Sequence, residues 1–275
     1  MAVIEAAADI QERETREMTM IKTDGLSKHF GGLIAVSDFN VEIEKGELVG
    51  LIGPNGSGKT TIFNVITGLY KPTAGRIYFD GKTVTGLRPD KITALGIART
   101  FQNIRLFSQL SVLDNVKVGH HLRLHSSPFV AALGLPTYRR EEEEITQNSL
   151  RLLEAVGLAD VAQEEAGGLP YGQQRKLEIA RALATRPKLL LLDEPAAGMN
   201  PEEIRELMEF IHRIMEEFDL TVLLVEHQMR LIMGICPRIL VLDHGVTIAH
   251  GTPDEIQNDP EVIEAYLGVE EEEDA

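Results

Sequence analysis

One stretch constrains this chain more than any other: Gly53-Pro54-Asn55-Gly56-Ser57-Gly58-Lys59-Thr60-Thr61. It follows Leu48-Val49-Gly50-Leu51-Ile52, an apolar run of strand length, and precedes Ile62-Phe63-Asn64-Val65-Ile66, whose apolar spacing suits a helix packed on a sheet. Strand, glycine-rich loop and helix in that order form a phosphate-binding loop, because glycines let successive N–H groups converge on phosphate oxygens. The start of the helix adds its partial positive charge. Lys59 is placed to reach the β- and γ-phosphates, the Thr60 hydroxyl to ligate Mg²⁺, and Thr61 to meet the α-phosphate. The stretch predicts a nucleoside triphosphate site.

Composition limits what surrounds that site. The 275 residues suffice for one good core, or a core with a smaller subdomain. A net charge of −16 implies no broad basic face, which speaks against a nucleic-acid partner. The single cysteine, Cys236, has no internal disulfide partner, so a reducing compartment is expected. Runs such as Leu189–Leu192 and Phe129–Leu135 fall far short of the roughly 18 apolar residues that cross a bilayer. Glu5, Asp9, Glu12 and Glu14 stand where a cleavable signal needs apolar residues. If a membrane is involved, another chain is expected to span it.

The rest of the chain reads in three parts after a loose or helical polar leader over 1–18. Phe39, Val41 and Ile43 alternate with polar residues, and Ile77-Tyr78-Phe79 runs into the tight turn Asp80-Gly81, so an antiparallel sheet is expected on either side of the loop. The middle, about 103–185, reads as an inserted helical subdomain. It contains a helix capped by Ser111 (Val112, Val116, Val118, Leu122), an irregular stretch at 126–136, and a long helix from Arg139 with Leu150, Leu152, Leu153 and Val156 inward. The glutamates at 141–144 read as its solvated first turn. From Lys188 onward, strands Leu189–Leu192, Thr221–Val225 and Ile239–Leu242 alternate with a helix at Pro201–Met215. Continuous apolar strands separated by helices predict a parallel sheet covered on both faces, hence an α/β fold. An acidic tail over 269–275 follows, and its run 270–274 is expected to be disordered.

Asp193 and Glu194 close one of those strands, and in open parallel sheets ligands gather beyond the carboxyl ends of strands. Asp193 is placed to hold Mg²⁺ through water, and Glu194 to orient or deprotonate the water that attacks the γ-phosphate. With these residues the sequence resembles ATP-binding-cassette (ABC) transporter ATPases over roughly 21–268, which implies an ATPase domain at 19–268. Arg99-Thr100-Phe101-Gln102 resembles that family's Q-loop, which implies that Gln102 contacts Mg²⁺ or the attacking water. Leu223-Leu224-Val225-Glu226-His227 resembles its switch, with His227 on the γ-phosphate. Ala197-Gly198-Met199-Asn200 resembles its D-loop, so Gly198 and Asn200 would cross between two subunits. Phe30 stands where the family stacks an aromatic ring on adenine. Taken singly, a histidine after a strand or one aromatic ring is an ordinary structural residue; their order around the loop carries the resemblance.

Leu169-Pro170-Tyr171-Gly172-Gln173-Gln174-Arg175 resembles the family's signature loop with a departure. Pro170 replaces the serine whose hydroxyl would meet the partner's γ-phosphate, which leaves Tyr171, Gly172, Gln173 and the helix start to cap that ATP. This variant, with Phe30-Gly31-Gly32-Leu33, Arg105-Leu106-Phe107 and Asp193 through Pro201, is similar to the ATPases of branched-chain amino-acid importers. The resemblance implies a peripheral subunit on the cytoplasmic face of the cell membrane. It would be paired with a second ATPase (a paralogue, or its own copy), bound under permease subunits, and fed by an extracytoplasmic solute-binding protein. An ATPase for another solute or for lipid export, a soluble cassette ATPase acting on ribosomes or DNA, and a simple phosphotransferase remain as alternatives.

Overall fold

The computed structural model describes residues 18–123 and 136–273. Most of the leader and of the irregular 126–136 stretch therefore lie outside the described residues. Among the described residues ten strands form two sheets. The smaller joins β1 (Thr19–Phe30), β2 (Leu33–Glu44), β4 (Ala74–Phe79) and β5 (Lys82–Thr83), all antiparallel, in the order β2-β1-β4-β5. On β2, Phe39, Val41 and Ile43 are buried, as their alternation requires. Asp80 and Gly81 both take positive φ between β4 and β5, the geometry that turns a tight hairpin without splaying its strands.

The larger sheet holds β3 (Leu48–Ile52), β6 (Ile97–Arg99), β7 (Leu189–Asp193), β8 (Thr221–Val225), β9 (Arg238–Asp243) and β10 (Val246–Gly251), in the order β10-β9-β3-β8-β7-β6. Every neighbouring pair is parallel except β9 with β10, so the expected parallel sheet carries one antiparallel edge. Residues of β3, β7 and β8 are all buried because both faces are covered. Leu189 and Leu191 pack with the antiparallel sheet and α1 (Lys59–Ile66), whereas Leu190 and Leu192 face the opposite core. That core includes α5 (Tyr171–Leu183), α6 (Pro201–Phe218) and α7 (Met229–Ile235). On α6, Ile204, Leu207, Phe210, Ile211 and Ile214 form the buried stripe.

Between β6 and β7 lie α3 (Val112–His120), α4 (Pro136–Ala155) and α5, all within the 103–185 stretch. Ser111 caps α3 by accepting from the Asp114 amide. Val112, Val116, Leu152, Leu153 and Val156 are buried, but Leu122 and Leu150 are exposed and Val118 only half-buried. Helix α4 begins at Pro136 rather than Arg139, since proline's fixed φ suits the first helical turn. Helix α6 extends three residues past Met215 and stops at Asp219, whose φ of 50° is left-handed.

Beyond those expectations come β1, α2 (Pro89–Leu95), β6, α7 and β10, as well as the helices that follow β10. After β10 come α8 (Pro253–Gln257) and α9 (Pro260–Glu273). The Asp259 carboxylate accepts from the Glu261 amide at the start of α9, and Val262 is buried. The backbone is helical through Glu273, in keeping with glutamate's good helix propensity.

Candidate functional site

The glycine-rich loop leaves the end of β3 at the centre of the larger sheet and enters α1 at Lys59. Gly53 and Gly58 are obligatory there. A Cβ on Gly53 would lie 1.9 Å from the Leu242 carbonyl oxygen, and one on Gly58 2.5 Å from that of Ala35. The loop is therefore pressed against β2 and the β9–β10 turn, where Gly245 donates to the Ser57 carbonyl. Asn55 and Gly56 are exposed at the tip, Pro54 and Ser57 are buried, and Thr60 and Thr61 lie in the first turn of α1. The buried Lys59 ammonium crosses the loop to the carbonyls of Gly53 (2.7 Å) and Pro54 (2.8 Å). Burial pushes its pKa down, while Glu194 and then Asp193 pull it back up.

Those carboxylates reach the loop across one intervening strand, because β8 lies between β3 and β7. Glu194 follows β7 with a φ of 46°, an uncommon conformation for a side chain of its size, and its amide donates to the Val225 carbonyl of β8. Its Oε2 is a meeting point. Gln102 Nε2 donates to it at 2.7 Å, and His227 Nδ1 lies 3.5 Å away. The structure thus brings Lys59, Gln102, Asp193, Glu194 and His227 to one end of the sheet. Phe30 stands at the exposed end of β1, edge-on to Tyr70 with centroids 5.2 Å apart and with the Lys28 ammonium 4.7 Å from its ring centre.

The remaining candidates sit elsewhere. Asn200 is committed to structure: its side chain accepts from the Glu202 and Glu203 amides as the cap of α6, while Gly198 precedes it with positive φ. Tyr171, Gly172 and Gln173 form the first turn of α5, whose leading amides have no partner within the helix. Pro170 is the residue before that turn and supplies no side-chain cap.

Two site residues escape the sequence reading although both stand inside strings that it singles out. Arg99, at the end of β6, pairs with Asp193 Oδ2 at 2.6 Å and also donates to Asn64 of α1, with both ion-pair side chains almost fully buried. Glu226 is wholly buried, and its two oxygens accept from the amides of Ala196, His227 and Gln228. It therefore ties the switch to the loop after β7. Burial pushes its carboxyl above the ordinary range, against the pull of the Ala196 and Gln228 amides. Glu226→Gln leaves one acceptor oxygen for three amides, so a loss of about 1–3 kcal/mol is expected, read as a lower midpoint in thermal unfolding. An unchanged midpoint would contradict this clamp.

Residues 36–197 match the family model described as ABC transporter. This chain belongs to the ABC transporter family. Residues 246–272 also match a second model, branched-chain amino acid ATP-binding cassette transporter. Among curated ABC relatives, the high-affinity branched-chain amino acid transport ATP-binding protein BraF of Pseudomonas aeruginosa is 45% identical over 90% of this chain and 98% of its own length. The protein of the same description, LivG, from Escherichia coli is 46% identical over the same shares. Among solved ABC structures, a cassette in its ADP conformation has a TM-score of 0.80 at 32% identity, covering 91% of this chain and 99% of that one. A dimeric post-hydrolysis cassette bound to ADP and Pi has a TM-score of 0.71 at 28% identity, covering 85% and 99%. The chain is thus an ABC transporter ATPase.

Proposed function

We propose that this chain hydrolyses ATP as one of a pair of nucleotide-binding subunits that drive import of branched-chain amino acids. The observation that carries the catalytic part is the convergence of Gln102 and His227 on Glu194 Oε2 beside Lys59. The backbone amides of the loop, which Pro54 lacks, would meet phosphate oxygens, the Lys59 ammonium would exchange the Gly53 and Pro54 carbonyls for them, and Phe30 would stack on the base. Glu194 would take a proton from the attacking water, with Gln102 and His227 holding that carboxylate and the γ-phosphate in place.

Mg²⁺ fits the donors present. Thr60 offers a hydroxyl and Asp193 a carboxylate, and Gln102, having turned its amide nitrogen to Glu194, keeps its carbonyl oxygen for a cation. Among the described residues no group of three His, Cys, Asp or Glu could hold a metal alone, which suits an ion held largely by phosphates and water. When bound it would neutralise charge on the phosphates.

Pairing follows from the first turn of α5, whose amides would cap the partner's ATP through Tyr171, Gly172 and Gln173, with Gly198 and Asn200 near the seam. No helix of the described residues is long and apolar enough to cross a membrane. Permease subunits would supply the span, with this chain peripheral on the cytoplasmic face. A cleft lined by Leu69, Phe101 and Phe107 beside the Gln102 segment, with Leu69 and Phe107 exposed, offers them an apolar seat. The solute is inferred from the names of the relatives and the match at 246–272.

The test is to isolate the membrane complex on a tag carried by this chain and reconstitute it in vesicles. ATP-dependent uptake of labelled leucine, in the presence of a branched-chain amino-acid-binding protein, is the expected result. Uptake of an unrelated solute alone would overturn the amino-acid part, and absence of any membrane partner would overturn the transport part.

A further inference from the structure

Arg99 ends β6, and its side chain crosses to the residues that would hold Mg²⁺. In the β6–β7 register it lies opposite Leu191, so it spans two residues further along β7 to reach Asp193. Nη2 donates to Asp193 Oδ2 at 2.6 Å, and Nη1 donates to Asn64 Oδ1 at 2.6 Å. Asn64 lies one turn beyond Thr60 on α1, on the same face. One planar guanidinium thus ties together the two elements that offer a hydroxyl and a carboxylate to the cation.

The pair is shielded from water. The Arg99 and Asp193 side chains are 6% and 3% exposed, and the guanidinium lies 5.3 Å from the Phe63 ring centre and 5.2 Å from that of Phe101. Arg99 Nε is buried without a hydrogen-bond partner among the described residues. A carboxylate this buried needs a positive charge beside it. Arg99 supplies one, while the Lys59 ammonium is engaged by the Gly53 and Pro54 carbonyls. Placement of Asp193 does not depend on the arginine. Its backbone pairs with Val225 of β8, and its amide donates to Thr100 Oγ1 at 3.3 Å. What the guanidinium adds is charge.

We propose that Arg99 stands in for the divalent cation at Asp193 until a nucleotide brings one, and that it thereby sets how tightly that cation is held. A carboxylate whose charge is already met attracts a second cation less. The coupling is reciprocal: whatever the metal takes from the ion pair, the ion pair takes from the affinity for the metal. The inference rests on the ATP and Mg²⁺ reading stated under Proposed function.

Arg99→Gln removes the charge and keeps a polar amide. Titration calorimetry of the full chain with ADP, run once in excess Mg²⁺ and once in a chelator, gives the factor by which the metal tightens the nucleotide. That factor is expected to be about tenfold larger in Arg99→Gln than in the parent, and within about twofold of the parent's in Arg99→Lys, which keeps the charge. Without nucleotide or metal, Arg99→Gln is expected to unfold at a lower temperature, since its Asp193 carboxylate is left buried alone. An equal or smaller factor in Arg99→Gln would overturn the proposal, because an arginine that only placed Asp193 would help the metal. If Arg99→Gln does not fold, Arg99→Lys decides: a factor within about twofold of the parent's supports the proposal, and one outside that range overturns it. Failure of the unmodified chain to bind ADP under either condition would overturn the nucleotide reading itself, and the inference with it.

Discussion

Replacing Glu194 by Gln is expected to lower ATP turnover about 10²–10⁴-fold, the range that a general base contributes, while ATP binding is retained. The substitution keeps volume and a hydrogen-bonding oxygen for Gln102 Nε2 but removes the carboxylate proposed as the base. Under the proposed pairing, ATP that binds and is not consumed would hold the pair closed, so the variant is expected to accumulate as an ATP-dependent dimer, read by light scattering alongside phosphate release. The neighbouring carboxylates offer no substitute. Asp193 is engaged by Arg99 at 2.6 Å, and Glu226 is wholly buried beneath three backbone amides. Turnover at the normal rate would therefore remove the base from this site altogether.

The parts of this molecule that are legible in the sequence are those with a local cause. A run of five buried residues at 48–52 or 189–193 can be read as a covered strand because hydrophobicity alone places it, and the glycines of 53–58 announce a backbone that approaches other chain segments closely. The three-residue strand β6 is too short for any periodicity; it exists because the exposed edge of β7 accepts it. Helices α2 and α7 are likewise short, and β10 follows from its hairpin with β9.

The site divides the same way. Gln102, Glu194 and His227 stand out through their order along the chain, yet Arg99 pairs with a residue 94 positions away, which no local pattern encodes. Glu226 is adjacent to His227 and stays hidden for the opposite reason: a carboxylate next to a switch histidine looks exposed until the fold buries it under the Ala196 amide. Leu122 and Leu150 show the converse, since their helical spacing is right but the fold turns them outward. Periodicity predicts a face, and tertiary packing decides which residues at its margin are covered.

Lys59→Ala is expected to weaken ATP binding about 10–150-fold, because hydrogen bonds to a charged group contribute about 1.5–3 kcal/mol and each 1.4 kcal/mol is tenfold in affinity. The ammonium is buried, which pushes its pKa down, while the Glu194 and Asp193 charges pull it back up. Titration calorimetry with Mg²⁺-ATP measures the loss directly. Removing the side chain also strips a donor from the Gly53 and Pro54 carbonyls, so a thermal unfolding scan of the variant separates lost binding from a damaged loop. Unaltered affinity in a variant that still folds would place the triphosphate away from this loop. The contrast with Glu194→Gln sharpens the point, since one variant should lose the nucleotide and the other retain it unspent. Identical behaviour of the two would mean that they perturb the fold and not two separate steps at one site.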